Sequence, residues 1–246
     1  MTAPSTLAPG TPIAGAAALV TGGHRGFGRA LVNELLSRGA ARVYATSRSA
    51  QLDVADPRVI PLVLDVTDEA SVQAAAHAAP DVSILINNAG ILLRSNVLSG
   101  SLDDIHTELD TNLFGTIRVT RAFAPVLACH ASSAVVNVLS ALSWLTLGGG
   151  YEISKSAAWS ATNALRLQLA AQGTTVTALH VGYMDTDMIA ALDVPKIDPR
   201  IVAHQTVDAI LAGTYELLAD DAARRIKSAL SADVSALYPQ LATAGS

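Results

Sequence analysis

Short apolar runs of strand length alternate with longer helical stretches along the whole of this chain. Parallel strands joined by helical crossovers are the arrangement that such alternation selects, because two parallel strands cannot be linked by a tight turn. Apolar residues 16–20 lead into a glycine-rich turn and a helix over 26–38 that Gly39 stops. Strands are expected at 42–46 and 59–64, and Thr67, Asp68 and Glu69 open a helix that Pro80 ends. Residues 82–87, 134–138 and 175–180 read as further strands, with helical regions over about 102–130, 151–172 and 199–219. From about residue 222 the pattern weakens; 222–231 reads as a helix end, and no seventh strand stands out. The expectation is an α/β fold in one domain over 13–246, preceded by a flexible arm over 1–12 that carries Pro4, Pro9 and Pro12.

Composition removes several classes of function. Half of the 246 residues are hydrophobic and mean hydropathy is +0.38, which raises the question of a membrane anchor. No uninterrupted apolar stretch approaches the roughly 18 residues of a spanning helix. No basic residue precedes His24, so the start of the chain lacks the charged region of a secretory signal. Sixteen Lys and Arg against 21 Asp and Glu give a net charge of −5, without the basic stripe of a nucleic-acid binder. The single cysteine, Cys129, excludes an internal disulfide framework and suits a reducing cytoplasm, the expected location. The six histidines are scattered with no ligand spacing, so no metal site is expected.

The turn after the first strand carries the first chemical signal. Gly22, Gly26 and Gly28 bracket His24, Arg25 and Phe27 between a strand and a helix. Such a turn brings backbone N–H groups and the positive end of a helix to a pyrophosphate, although glycines also mark ordinary turns. At the end of the second strand, where a carboxylate would bind the ribose 2′-hydroxyl of NAD, the chain has Ser47 and Arg48; the nearest carboxylate beyond is Asp53. Arg48, with Ser47 and with Arg25 from the glycine turn, could take a 2′-phosphate through charge-assisted hydrogen bonds. Two solvated surface arginines are the alternative.

The Gly-x-x-x-Gly-x-Gly spacing of 22–28, Asn87-Asn88-Ala89-Gly90, the serine of Asn137-Val138-Leu139-Ser140 and Tyr151-x-x-x-Lys155 occur in the order found in short-chain dehydrogenases/reductases. The chain resembles that family over about residues 13–190. The resemblance implies a Rossmann fold, a doubly wound parallel sheet of six or seven strands with helices on both faces. It implies NADP(H) as the preferred cofactor, with NAD(H) possible, a small-molecule carbonyl or alcohol substrate, and a homodimer or homotetramer. It also implies that Asp65 and Val66 flank the adenine and that Asn88, Ala89 and Gly90 line the ribose. Gly182, Met184 and Thr186 would stand near the nicotinamide, with Val181 replacing the family's usual proline.

Tyr151 and Lys155 are one helical turn apart and share a face. A neighbouring ammonium is expected to lower the phenol's pKa, while Lys155 also holds the cofactor ribose. Ser140 would hydrogen-bond the substrate oxygen, with Ser143 an alternative hydroxyl, and the resemblance gives Asn112 a water that relays protons to Lys155. Only ten residues separate Ser140 from Tyr151, three of them Gly148, Gly149 and Gly150, so a displaced serine or a mobile rim is expected. Leu92, Leu93, Leu142, Trp144, Leu145, Tyr183 and Met188 on strand-end loops suggest an apolar ketone, aldehyde or secondary alcohol. Trp159 is assigned to packing or a subunit interface. The reading is a reversible NADPH-dependent carbonyl reductase. A nucleotide-sensing protein on the same fold that has lost turnover is the alternative.

Overall fold

The computed structural model describes residues 10–49 and 56–243. Seven strands, β1 (Ala17–Val20), β2 (Arg42–Ser47), β3 (Val59–Val63), β4 (Val82–Asn87), β5 (Ser133–Val138), β6 (Thr174–His180) and β7 (Glu216–Leu218), form one parallel sheet in the order β3-β2-β1-β4-β5-β6-β7. The reversal of strand order beside β1 places a crevice at the carboxyl ends of β1 and β4, where open α/β sheets bind ligands.

Alternate residues of each strand feed two cores. Ala18, Val20, Val43, Ile84 and Val136 pack under α1 (Gly26–Ser37) and α6 (Pro199–Ala212) through Leu31, Leu35, Val207 and Ile210. Ala17, Leu19, Leu85 and Val135 face α2 (Glu69–Ala78), α4 (Gly115–Leu127) and α5 (Gly150–Leu169) through Val72, Phe123 and Leu165. Each large side chain removed from water contributes about 1.5–3 kcal/mol, which accounts for the apolar excess without a lipid phase. Among the described residues no helix is long and apolar enough to cross a membrane.

Four details depart from the sequence expectations. The region 102–130 is not one helix: α3 (Leu102–Leu109) and α4 are joined by a π-helical turn, Asp110–Phe114. Helix α6 stops at Gly213, which adopts φ +65°, so the residues after it are free to make β7, too short to show alternation. Helix α7 (Asp221–Ala229) then follows, N-capped by Asp220. Of the expected arm, residues 1–9 lie outside the described residues, whereas Thr11 is buried and its N–H donates to Ile210 O at 3.1 Å, so the attachment begins before residue 13.

Candidate active site

The glycine turn is built by close approach. Gly22 and Gly26 have φ of +65° and +51°, and a Cβ on Gly28 would overlap Gly22 O and lie 2.8 Å from Asn88 Nδ2. Helix α1 opens on Arg25 with no side-chain cap and no acidic residue in its first turn, whereas α2, α3, α6 and α7 are capped by Asp68, Ser101, Asp198 and Asp220. Its first N–H groups therefore remain available to an anion. His24 Nδ1 is buried without a partner beside them. These features fit the pyrophosphate of a dinucleotide.

Thr21, which the sequence reading passed over, fastens this turn to the end of β4. Its Oγ1 accepts the N–H groups of Asn88 (2.8 Å) and Ala89 (2.9 Å), and Asn88 Nδ2 donates to Thr21 O (2.9 Å). The Asn88 amide is thus a strand tie. Below it, Asn87 Nδ2 donates to Thr120 Oγ1 (2.9 Å) and Asn137 Oδ1 (2.8 Å), and Asn137 Nδ2 to Thr162 Oγ1 (2.9 Å).

One cavity of about 1280 Å³ runs across the carboxyl ends of the strands. It is lined by Gly22, His24, Arg25, Gly26, Phe27, Gly28, Ser47, Arg48, Asp65, Val66, Asn88, Ala89 and Gly90 at one end, and by Ser140, Tyr151, Lys155, Gly182, Met184 and Thr186 at its centre. Leu92, Leu93, Leu142, Leu145, Tyr183 and Met188 line it as well. The Asp65 carboxylate accepts the Thr67 hydroxyl (2.7 Å) and N–H (2.9 Å), which hold its pKa below the usual range, with Arg48 adding to the effect. The Ser47 hydroxyl donates to Ser49 O, so it is already engaged. Asp53 lies outside the described residues.

Two features of the catalytic group differ from the sequence expectations. Lys155 Nζ donates to Val138 O at 2.8 Å and stands 5.7 Å from the centre of the Tyr151 ring. Yet the phenol's pKa is not lowered: burial pushes it up to about 12, outweighing the hydrogen bond with Ser140, and burial brings Lys155 down to about 8. Tyr151 at neutral pH is a protonated phenol beside a mostly protonated amine. Asn112, sited by the π turn, lies behind the wall: its Oδ1 accepts Ile91 N–H (2.9 Å) and its Nδ2 donates to Ile91 O (3.0 Å) and Ser154 Oγ (2.9 Å). It braces the loop behind Gly90 and does not line the cavity.

Trp144 is also absent from the cavity. It is buried, stacked on His180 with centroids 3.8 Å apart and packed edge-on against Trp159 at 5.8 Å, with Lys227 Nζ 4.6 Å above its ring. His180, fully buried, donates from Nδ1 to Ser140 O (3.0 Å) and fixes the backbone that presents the serine. Ser140 itself caps a 3₁₀ turn, Ala141–Ser143, accepting Leu142 N–H at 3.1 Å, while the Ser143 hydroxyl accepts Ser140 N–H and is turned inward. Of the two hydroxyls, Ser140 lines the cavity and Ser143 does not.

Burial brings His180 from 6.5 down to about 4, against opposing pulls from Ser140 O and Glu216. Between those values the unfolded chain binds more protons at this site than the folded one, so stability rises with pH across the window and is lost as pH falls toward 4. The contribution is on the order of 3 kcal/mol. Urea midpoints measured from pH 7 to pH 4 are expected to fall in that window, and more shallowly in His180→Asn, which keeps a donor near Ser140 O. Equal slopes for both chains would remove His180 from this account.

Nor is the rim loose. Gly150 N–H donates to Ser95 O (3.0 Å), Val97 N–H to Gly148 O (3.0 Å), and Asn96 pairs with Gly149 as an antiparallel bridge. Gly148 has φ +98°, and side chains at 149 and 150 would press on Glu152 and Glu108. The glycines therefore permit a tight junction where mobility was expected. Helix α7 supplies further lining, Ala222 and Ile226, and Asp220 Oδ2 accepts Gly182 N–H at 2.7 Å.

An open nucleotide cradle leading to a Ser140, Tyr151 and Lys155 cluster defines the site of a nicotinamide-dependent oxidoreductase. The chain belongs to the short-chain dehydrogenase family, whose description "short chain dehydrogenase" matches residues 16–195. Among solved structures it is similar to a short chain dehydrogenase from Burkholderia cenocepacia J2315 in complex with NADP, with 36% identity and a TM-score of 0.86 over 94% of this chain and 99% of that one. It is 34% identical over 79% of its length to the short chain dehydrogenase tazN of Aspergillus terreus, of which it spans 46%. To the 3-oxoacyl-[acyl-carrier-protein] reductase FabG of Salmonella typhimurium it is 31% identical, over 72% of this chain and 77% of that protein.

Proposed function

We propose that this chain is an NADPH-dependent reductase of apolar ketones or aldehydes, working in reverse as a secondary-alcohol dehydrogenase. The observation that carries the reading is the convergence of Tyr151, Ser140 and Lys155 on one cavity that is continuous with the glycine turn. The nicotinamide, when bound, supplies hydride to the carbonyl carbon. The Ser140 hydroxyl, anchored through His180, hydrogen-bonds the carbonyl oxygen and stabilises the charge that develops there. Tyr151, kept protonated by burial, delivers its proton to that oxygen. Lys155, within reach of the same wall as Gly90, holds the cofactor ribose and favours the phenolate left behind.

The preference for NADPH rests on Arg25 and Arg48, exposed at the cavity's nucleotide end and in no ion pair among the described residues. The NADP complex of the Burkholderia relative supports it. Arg48→Asp is expected to weaken NADPH binding by about tenfold to a hundredfold relative to NADH, read by titration with each nucleotide. An unchanged ratio would take Arg48 out of the site. A panel of apolar ketones assayed with NADPH tests the activity itself, and failure to reduce any of them would overturn it. The reading includes a homodimer or homotetramer; Leu167 on α5, 80% exposed, and Phe114 at the start of α4 are apolar surface that such contacts would cover.

A further inference from the structure

Arg94 has φ +62° and is the one non-glycine residue with positive φ among those described. Left-handed backbone is unfavourable for a residue with a Cβ, and a glycine there would adopt it freely. Here the turn is held from beneath by a buried acid: Glu108, wholly buried on α3, accepts the N–H of the preceding residue, Leu93, at 2.7 Å. From the other side it is held by Ser95, whose carbonyl receives Gly150 N–H and whose Oγ donates to Ser101 O at 3.0 Å. The neighbouring residues on both sides of Arg94 are thus anchored, and the left-handed backbone is held between them.

That side chain lines the cavity, is exposed, and has no hydrogen bond or ion pair of its own among the described residues. The other Lys and Arg residues on the lining are Arg25 and Arg48 at the nucleotide end and Lys155 beside Tyr151. Away from the nucleotide end and Lys155, Arg94 is therefore the single arginine or lysine on a lining that carries Leu92, Leu93, Leu142, Leu145 and Leu147 together with the polar residues Asn96, His106 and Glu152. A guanidinium that makes no ion pair within the protein is free to engage a carboxylate of a ligand with two parallel hydrogen bonds. We propose that Arg94 is a specificity residue that receives a carboxylate at the far end of a substrate with an apolar body, an oxo acid in the reducing direction. This subsite rests on the reductase reading for the identity of the reacting carbonyl.

The test compares a long-chain oxo acid with its methyl ester for the native chain, Arg94→Gln and Arg94→Gly, and measures hexanoate binding by calorimetry. The native chain is expected to show the lower KM for the acid, and both variants to reduce the acid-over-ester preference by about tenfold to a hundredfold. Arg94→Gly is expected to keep or raise the melting temperature, since glycine relieves the left-handed turn, so its loss of preference cannot be loss of folding. Hexanoate binding is expected to weaken by a similar factor in Arg94→Gln. Equal treatment of acid and ester by the native chain, or an unchanged preference in both variants, would overturn the subsite. Hexanoate binding that weakens in Arg94→Gln while neither compound is reduced would keep the subsite and remove the reductase reading.

Discussion

Tyr151→Phe is expected to lower turnover of a ketone by about a hundredfold to ten-thousandfold, the usual range for removing a positioned general acid. Nucleotide binding is expected to persist. The ring fills the same space at the start of α5, and the cradle formed by the glycine turn and α1 does not involve the phenol oxygen. Folding changes little, because the substitution removes one hydroxyl and leaves the ring and the backbone of α5 in place. The residual rate reports what Ser140 can do for the carbonyl oxygen without a proton donor. Steady-state rates with parallel nucleotide titration check this; turnover within a few-fold of the native chain would mean that another group supplies the proton.

Gly28→Ala is expected to damage binding and stability together. The added methyl would overlap Gly22 O and press on Asn88 Nδ2, and both belong to the junction that Thr21 ties. Backbone atoms cannot step aside as a flexible side chain can, so the turn must open. Overpacking of this kind costs about 1–3 kcal/mol, and the N–H groups at the start of α1 lose their common direction. Thermal melts and NADPH titration are expected to show both losses. A normal melting temperature with normal nucleotide affinity would show that the turn tolerates expansion and that the glycine spacing is not what shapes it.

The strands and the glycine turn were legible because they follow local rules: apolar runs buried on both faces, and a strand–turn–helix with glycine where the backbone bends or packs closely. What was hidden depends on tertiary contact. Thr21 stands directly before Gly22, but nothing local says that its hydroxyl collects two N–H groups from β4. Trp144 sits on a strand-end loop as a substrate residue would, but it turns into the core against His180 and Trp159, with Lys227 of α7 over its ring. A lysine one turn away argues for a lowered phenol pKa, but burial outweighs it and brings Lys155 itself down to about 8. Three consecutive glycines suggested looseness; beside two buried acids they permit closeness. Glu108, a charged residue on a helix with three other acidic or imidazole side chains, gave no sign that it would end wholly buried beneath the rim.

The central claim is that the cavity moves hydride between the nicotinamide and a carbonyl carbon under Tyr151. The most direct measurement incubates the chain with an apolar ketone and NADPH deuterated on the transferred face of C4, then locates the label by mass spectrometry and NMR. The account predicts an alcohol bearing deuterium on its carbinol carbon, formed at a rate that Tyr151→Phe depresses. Alcohol that forms without the label at that carbon, or no alcohol from any ketone while NADPH binds tightly, would contradict it.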